Sequence, residues 1–264
     1  MVALVLVGTG VAATVVARDP AEDPAAPPPA SGSRHEWRVP DTDPPPEPGL
    51  DIGDPVPIGN GRHETRWAPI RHRVLARARP HARAQAITRL RTRTPEGTTH
   101  IVLALDRRED AQGRLWVRVT LPVLPNGTTG WVPRTALGGY GTALTHLFVN
   151  RRRLTLKLYR AGRLVMRAPI GIGRAGSPTP AGRFFVRSKL TRYRSAFYGP
   201  VAFGTSARSP TLTDWPGGGF VGIHGTNRPD RLPGRVSHGC IRMRNGDIRR
   251  LAREMPPGTP VTIS

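Results

Sequence analysis

Short apolar runs separated by turn residues fill most of the chain, and two stretches of a different character precede them. Residues 1–18 are almost wholly apolar or small, and residues 19–60 are rich in proline and acidic side chains. The texture of the short runs changes at about residue 143. This pattern predicts a mainly β protein with two β domains, at 61–143 and 144–264.

The first two stretches predict export rather than folded structure. The apolar run has the composition of a secretion signal, but it is shorter than the ~20 residues that cross a bilayer comfortably, and no basic leader precedes it. We therefore expect a signal peptide or a membrane anchor at 1–18, and the sequence leaves its cleavage open. Residues 19–60 hold few large apolar side chains, so burial cannot offset their chain entropy, and a disordered, extended linker is expected.

Residues 61–143 carry the signals of a small barrel. Ile101–Leu105 and Leu115–Val119 are predicted strands, with a polar turn at 107–113 between them. Asn126-Gly127 is a strong hairpin signal, and the Gly-Trp-Val run at 130–132 follows it. The arrangement resembles bacterial SH3-like domains, which implies a wall-binding module or a spacer.

Residues 144–264 predict a β meander closed by a helix. The expected strands are 147–149, 154–158, 164–170, 184–186 and 259–263. The glycine-rich residues 171–182 are predicted to form one long turn, because Pro178 and Pro180 forbid the helix that a phosphate cradle needs. Apolar residues recur at helical spacing from 248 to 255, with Asn245 at the expected N-cap.

The chain has a formal net charge of +22, from 40 basic and 18 acidic residues, which limits the classes of binding partner to consider. Such a cationic field suits nucleic acid, a membrane surface or an anionic wall polymer. The arginines are scattered through predicted strands and turns, with no long basic run and no interleaved aromatic array. This distribution argues against nucleic acid and leaves an anionic wall polymer as a possible partner.

The single cysteine, Cys240, is the centre of the candidate chemistry. An exported protein with one cysteine forms no internal disulfide, so the thiol either pairs two chains or is reactive. A reactive thiol needs an imidazole beside it. His238 lies two residues earlier, and His224 lies sixteen residues earlier and could return on a neighbouring strand. Gly239 would let a substrate approach and leave its N–H free for an oxyanion.

Two other interpretations of these residues stay open on spacing alone. His224, His238, Cys240 and Asp230 could form a mixed zinc site, although a single thiol without paired ligands is poor metal spacing. Cys240 could also be a small buried hydrophobe among histidines that are satisfied in the core.

The motifs in the last 121 residues resemble a known family. His224-Gly225-Thr226 followed by Ser237-His238-Gly239-Cys240-Ile241-Arg242-Met243 is similar to the signature of the YkuD-type L,D-transpeptidases. Supporting segments, in order along the chain, are 170–184, 198–200, 245–248 and 258–261. The resemblance implies a β-sandwich-like catalytic domain with one capping helix.

The resemblance also implies a reaction and its residues. Cys240 attacks the carbonyl before the terminal D-alanine of a peptidoglycan tetrapeptide stem, and an amine of a neighbouring stem resolves the thioester into a 3→3 cross-link. His224 is the base, oriented by the backbone carbonyl of Gly225, and His238 is a second catalytic histidine. Backbone N–H groups around Gly239 bind the oxyanion.

Further roles follow from the same resemblance. Ser237 and Tyr198 are expected to contact substrate, and Arg242 either meets a substrate carboxylate or braces the loop. No cofactor or metal is implied, stem peptides are the partners, and the site of action is the cell envelope. Three alternatives stay open: an L,D-carboxypeptidase, a transferase that attaches protein to the wall, and a wall-binding protein without activity.

Overall fold

The computed structural model describes residues 55–59, 63–191, 195–211 and 218–264. The apolar segment at 1–18 and nearly all of the linker at 19–60 lie outside these ranges. Within the ranges described, no helix has the length and apolarity needed to cross a membrane.

The first β-sheet is built from strands that precede residue 144. They are β1 Val56–Pro57, β2 Thr65–Pro69, β3 Val74–Arg77, β4 Ala86–Leu90, β5 Ile101–Glu109, β6 Leu115–Thr120, β7 Thr129–Pro133 and β8 Gly141–Ala143. Their order is β4-β3-β7-β6-β5-β2-β8, with β1 also on β5. The polar turn predicted at 107–113 is shorter than expected, because β5 pairs with β6 as far as Glu109. The SH3-like assignment stays a prediction.

The second sheet and the helix follow. The strands are β9 Thr145–Asn150, β10 Thr155–Arg160, β11 Arg163–Pro169, β12 Gly171–Gly173, β13 Gly182–Leu190, β14 Ala202–Arg208, β15 Phe220–His224, β16 Gly234–Ser237, β17 Ile241–Arg242 and β18 Pro260–Ile263, and the helix is α1 Asn245–Glu254. Their order is β11-β10-β9-β18-β13-β14-β15-β17-β12-β16. The predicted mainly β class with one helix is confirmed for the described residues.

Alternation along β10 shows why this sheet forms. Leu156 and Leu158 are fully buried, while Thr155, Lys157 and Tyr159 point to the other face. Each buried leucine contributes roughly 1.5–3 kcal/mol relative to an exposed one. The leucines belong to a core that also takes in the apolar face of α1, so one face of the sheet is fixed by burial and the other stays available for polar contacts.

Two predictions for this half are wrong. Residues 171–173 form β12, which pairs with β16 and β17, instead of part of a long turn. Three residues, two of them glycine, give no side-chain periodicity, so only pairing with distant strands reveals this strand. The N-cap of α1 is Arg244 and the helix begins at Asn245. The Asn245 side chain instead accepts a hydrogen bond from the Thr226 N–H at 3.0 Å.

The two sheets share an apolar contact and a buried ion pair. Trp67, Leu103 and Phe185 belong to one buried cluster that joins them. Arg187 of β13 donates to Glu96, which precedes β5, at 2.7 Å, and both side chains are 1% exposed. The first sheet is therefore packed against the sheet that carries the predicted nucleophile.

Candidate active site

Parallel pairing of β15 with β17 brings the cysteine and one histidine together. Ile223 lies opposite Ile241, and His224 lies opposite Arg242. One step back in this register places Cys240 opposite Gly222, two residues before His224 on the same strand. The segment that carries Cys240 therefore lies beside the strand that carries His224, although sixteen residues separate the two in the sequence.

Cys240 lies in a pocket of backbone and apolar side chains. Its Sγ accepts a hydrogen bond from the Gly222 N–H at 3.3 Å, and the residue keeps 7% of its surface exposed. Burial alone agrees with the alternative of a small buried hydrophobe. An N–H donated to the sulfur is different, because it stabilises a thiolate more than a thiol. The geometry therefore favours a reactive group over a space-filling one.

The His224 ring is held in a defined tautomer. Its Nδ1 lies 2.6 Å from the carbonyl oxygen of Gly225. Since a carbonyl oxygen only accepts, Nδ1 carries the proton and donates it, and Nε2 keeps its lone pair. That tautomer is the one that can remove a proton from a thiol.

The environment of His224 keeps the imidazole neutral. Burial, and to a lesser extent the nearby Arg242 charge, lower its pKa to about 3, although the hydrogen bond with the Gly225 carbonyl partly opposes both. The ring also contacts Tyr198, with centroids 4.6 Å apart in an edge-on arrangement. A neutral imidazole beside a thiol acts as a general base during attack and does not form an ion pair in the resting state.

The loop that precedes the cysteine is closed by its own hydrogen bonds. Ser237 Oγ donates to the Cys240 carbonyl at 2.6 Å and accepts from the Gly239 N–H at 3.1 Å. In this structure the Gly239 N–H is engaged within the loop, and Ser237 is 3% exposed. Oxyanion binding at Gly239 and substrate contact by Ser237 stay predictions. His238 is half-buried, one residue before a glycine with φ of +129°.

Two hydroxyls that the sequence interpretation missed hold this loop from behind. Ser177 Oγ donates to the His238 carbonyl, and Thr179 Oγ1 donates to the Gly239 carbonyl, both at 2.7 Å. Thr179 Oγ1 also accepts from the Gly173 N–H at 2.9 Å. A Cβ at Gly173 would lie 2.2 Å from the Ser177 carbonyl oxygen, so glycine permits the close approach. The signal available in the sequence was a short hydroxyl side chain directly before each of the prolines Pro178 and Pro180.

Tyr198 and Arg242 line the site without reaching far into solvent. Tyr198 is 3% exposed and lies against His224. The Arg242 guanidinium stacks over the Phe197 ring at 4.6 Å, and the residue is 6% exposed. Of the two roles expected for Arg242, this stacking favours the brace. Tyr198 encloses the imidazole, and its contact with substrate stays a prediction.

Gly225 lies where two segments cross. Its Cα is close to Gly199, which has φ of +69°, and a Cβ on Gly225 would lie 2.3 Å from Asn245 Oδ1. The same Asn245 oxygen binds the Thr226 N–H. The carbonyl of Gly225, which fixes the His224 tautomer, is therefore positioned by α1 and by the Tyr198 segment together.

The zinc alternative finds no support in this geometry. Among the described residues, no group of three or more histidine, cysteine or carboxylate side chains could hold a metal ion. Asp230, the fourth ligand considered, is an exposed residue whose nearest basic partner is Arg228, at 3.6 Å.

Comparisons with known proteins identify the family of the chain. The family model for the YkuD L,D-transpeptidase catalytic domain matches residues 144–263. A candidate L,D-transpeptidase of Bacillus subtilis named YqjB is 31% identical over 127 residues, 45% of this chain and 70% of that protein. The chain belongs to the YkuD L,D-transpeptidase family.

The chain is also similar to a second relative and to a solved structure. A candidate L,D-transpeptidase named YkuD from Bacillus licheniformis is 38% identical over 110 residues, 42% of this chain and 59% of that protein. The chain thus spans about three fifths of that relative's length. The solved catalytic domain of an Enterococcus faecium L,D-transpeptidase is 26% identical, with a TM-score of 0.36 over 46% of this chain and 96% of that one.

Proposed function

We propose that this YkuD-family protein is a peptidoglycan L,D-transpeptidase with Cys240 as nucleophile and His224 as base. The observation that supports the proposal is the pairing of β15 with β17, which brings the Cys240 segment beside the strand whose His224 ring has a fixed tautomer. Family membership supplies the reaction class.

The first half-reaction forms a thioester. Cys240 Sγ attacks the carbonyl carbon before the terminal D-alanine while its proton moves to His224 Nε2. The tetrahedral intermediate then collapses, the C–N bond breaks, and His224 returns the proton to the departing amine. Sulfur and acyl carbon remain bonded, and D-alanine leaves.

The second half-reaction transfers the acyl group. An amine of a neighbouring stem attacks the thioester carbonyl and gives its proton to His224 Nε2. Collapse breaks the C–S bond, and the thiolate of Cys240 regains that proton. The product is an amide that joins two stems, and the enzyme returns to its starting state.

Oxyanion binding requires a change of partner in the loop. The Gly239 N–H is donated to the neutral Ser237 hydroxyl, whereas hydrogen bonds to a charged oxygen are roughly twice as strong. The oxyanion of an acyl group bonded to Cys240 therefore replaces the Ser237 hydroxyl as the acceptor of that N–H. His238 is a second candidate for proton transfer, two residues before the nucleophile.

The proposed substrate sets the location. Stem peptides lie outside the cytoplasmic membrane, so the protein acts in the cell envelope, with residues 1–18 as its signal peptide or anchor. The net charge of +22 suits an anionic wall.

The test is intact-protein mass spectrometry after incubation with a carbapenem, the drug class expected to acylate such a thiol. We expect one adduct on the wild type and none on Cys240→Ala. His224→Ala should form the adduct at least about a hundredfold more slowly, because general-base assistance contributes typically 10²–10⁴. His238→Ala measures the contribution of the second candidate histidine in the same assay.

Each alternative has its own outcome. No adduct on the folded wild type would favour a wall-binding protein without activity. If His224→Ala forms the adduct at the normal rate and His238→Ala does not form it, the general base is His238 and not His224. Purified tetrapeptide stems then identify the acceptor: cross-linked dimer supports transpeptidation, free D-alanine without dimer indicates a carboxypeptidase, and activity only with a protein amine indicates protein attachment.

A further inference from the structure

A large cleft separates the two sheets on the side away from the predicted nucleophile. Its volume is about 1250 Å³, and its walls come from β5 and β6 on one side and from β9, β10 and β18 on the other. No residue of the Cys240 loop lines it. Small-molecule pockets usually measure about 300–1,000 Å³, so the cleft has room for part of a chain-like ligand.

A line of side chains crosses the floor of the cleft at right angles to the strands. Arg167 lies opposite Lys157, and Lys157 lies opposite Phe148. Phe148 lies opposite Thr262, which lies opposite Arg183. Neighbouring strands are about 4.8 Å apart, so five strands carry this line over roughly 19 Å. We call Arg167, Lys157 and Arg183 the cation row.

The alternation of the strands directs this line into the cleft. Leu147, Val149, Leu156 and Leu158 fill the core from the opposite face, so their sequence neighbours point outward. All members of the cation row line the cleft, and Phe148 between them is 39% exposed. The row is therefore fixed by the same burial that holds the sheet together.

The charges of the row are not neutralised from within the described part of the chain. None of its three side chains makes an ion pair with a described carboxylate. The carboxylates on the other wall, Glu64 and Asp106, pair with Arg66 and Arg118 of their own sheet. Among the described residues, no carboxylate pairs with the positive charges on the floor of the cleft, and such a floor attracts anions.

The chemistry of this floor identifies the ligand class. Three cations spread over roughly 19 Å match repeated anionic groups better than a single anion, and arginine and lysine are the usual partners of phosphate. Phe148 offers an apolar contact for the carbon segments between the anions. We propose that the cleft binds a phosphodiester-linked anionic polymer of the cell wall, lying across the strands. The cellular source of the polymer rests on the proposed function.

The experiment measures binding of poly(glycerol phosphate) to the purified protein by fluorescence anisotropy at several salt concentrations. The variant Arg167→Gln/Lys157→Gln/Arg183→Gln removes the row. The matched control Arg73→Gln/Arg89→Gln/Arg249→Gln removes three exposed charges that do not line the cleft. We expect the row variant to bind the polymer at least about tenfold more weakly. The slope of log K against log salt should also become shallower by about 2, because each of the three lost phosphate contacts contributes ~0.7 to it. The control should keep its slope to within about 0.5.

Three outcomes would overturn the proposal. The first is an equal loss of polymer affinity in both triple variants, and the second is the absence of salt-dependent binding by the wild type. The third is that single-stranded DNA with the same number of phosphates binds more tightly than the polymer and that Phe148→Ala abolishes this DNA binding. The last outcome would indicate base stacking and a nucleic-acid site. If the triple variant does not fold by circular dichroism, Lys157→Gln replaces it, with an expected slope change of about 0.7.

The binding and the acyl transfer are separable in this design. Cys240→Ala should bind the polymer as the wild type does, and the row variant should gain the carbapenem adduct at the normal rate. Loss of polymer binding with normal acylation contradicts only the cleft, whereas normal binding without acylation contradicts only the proposed function.

Discussion

At the scale of single residues, the imidazole of His224 is the feature that decides how the thiol reacts. Its Nδ1 proton is committed to the Gly225 carbonyl, and burial together with Arg242 lowers its pKa to about 3. A base is active while it is neutral, so its activity is present above that pKa and is lost as the pH falls through it. An ordinary histidine would lose the same activity near pH 6.5.

The pH dependence of Cys240 acylation should therefore show no histidine limb in the usual range. We expect the rate to change less than about threefold between about pH 7 and about pH 5, because the neutral form persists. Stopped-flow or quenched mass spectrometry of carbapenem acylation measures it. A midpoint near pH 6.5 would mean that the base is a more exposed histidine, and His238→Ala identifies which one.

The hydroxyls behind the nucleophile loop give a second prediction at this scale. Ser177→Ala and Thr179→Val each remove one hydrogen bond to the loop. A neutral hydrogen bond contributes roughly 0.5–1.5 kcal/mol to stability, so each variant should unfold at a lower temperature. Loss of the same free energy from the ordered loop should slow acylation by about two- to tenfold. Thr179→Ser should restore the rate. Wild-type rates in both variants would show that the loop is held without these hydroxyls.

At the scale of elements, the site is assembled where two strands, one loop and one helix meet. β15 supplies His224, β17 follows Cys240, and the start of α1 supplies Asn245. The crossing at Gly225 and Gly199 has no room for a side chain. The site therefore depends on backbone approach as much as on the two reactive groups.

Substitution of glycine tests this crossing. In Gly225→Ala, the new Cβ would lie 2.3 Å from Asn245 Oδ1, and such overpacking costs about 1–3 kcal/mol. We expect a lower melting temperature and a loss of acylation as the Gly225 carbonyl moves. Gly246→Ala is the control one residue beyond Asn245, where nothing lies within 4 Å and a helical alanine gains up to about 1 kcal/mol. Equal stability in both variants would contradict the account.

At the scale of the whole molecule, the two sheets are joined by a charge pair that neither could bury alone. Glu96 and Arg187 are 2.7 Å apart and 1% exposed. Arg187 also stacks over Phe220, the first residue of β15. The ion pair thus connects the first sheet to the strand that carries His224.

Removal of one partner should destabilise the protein strongly. Glu96→Gln leaves the Arg187 charge buried without compensation, which typically costs 3–5 kcal/mol. Denaturant unfolding measures the loss, and Glu96→Leu/Arg187→Met should recover part of it. The exposed pair of Arg160 with Glu254 is the control, because Glu254→Gln should change stability by less than about 1 kcal/mol. A similar small effect of Glu96→Gln would mean that the sheets dock without this pair.

The sequence by itself determined the parts of the protein that follow from local pattern and chemistry. Alternation along β10 predicted its buried leucines, helical spacing predicted α1, and one thiol close to two histidines predicted the candidate site. These features can be predicted from the sequence because each is specified by residues within a few positions of one another or by a rare residue type.

Only the tertiary structure decided the features that depend on pairing across long separations. β12, the hydrogen bond of Asn245 with Thr226, and the support from Ser177 and Thr179 all rest on hydrogen bonds between distant segments. The cation row arises in the same way, because its three residues lie on three separate strands that only the sheet brings into line. A register between strands has no trace in local periodicity, so such features exist only once the sheet has formed.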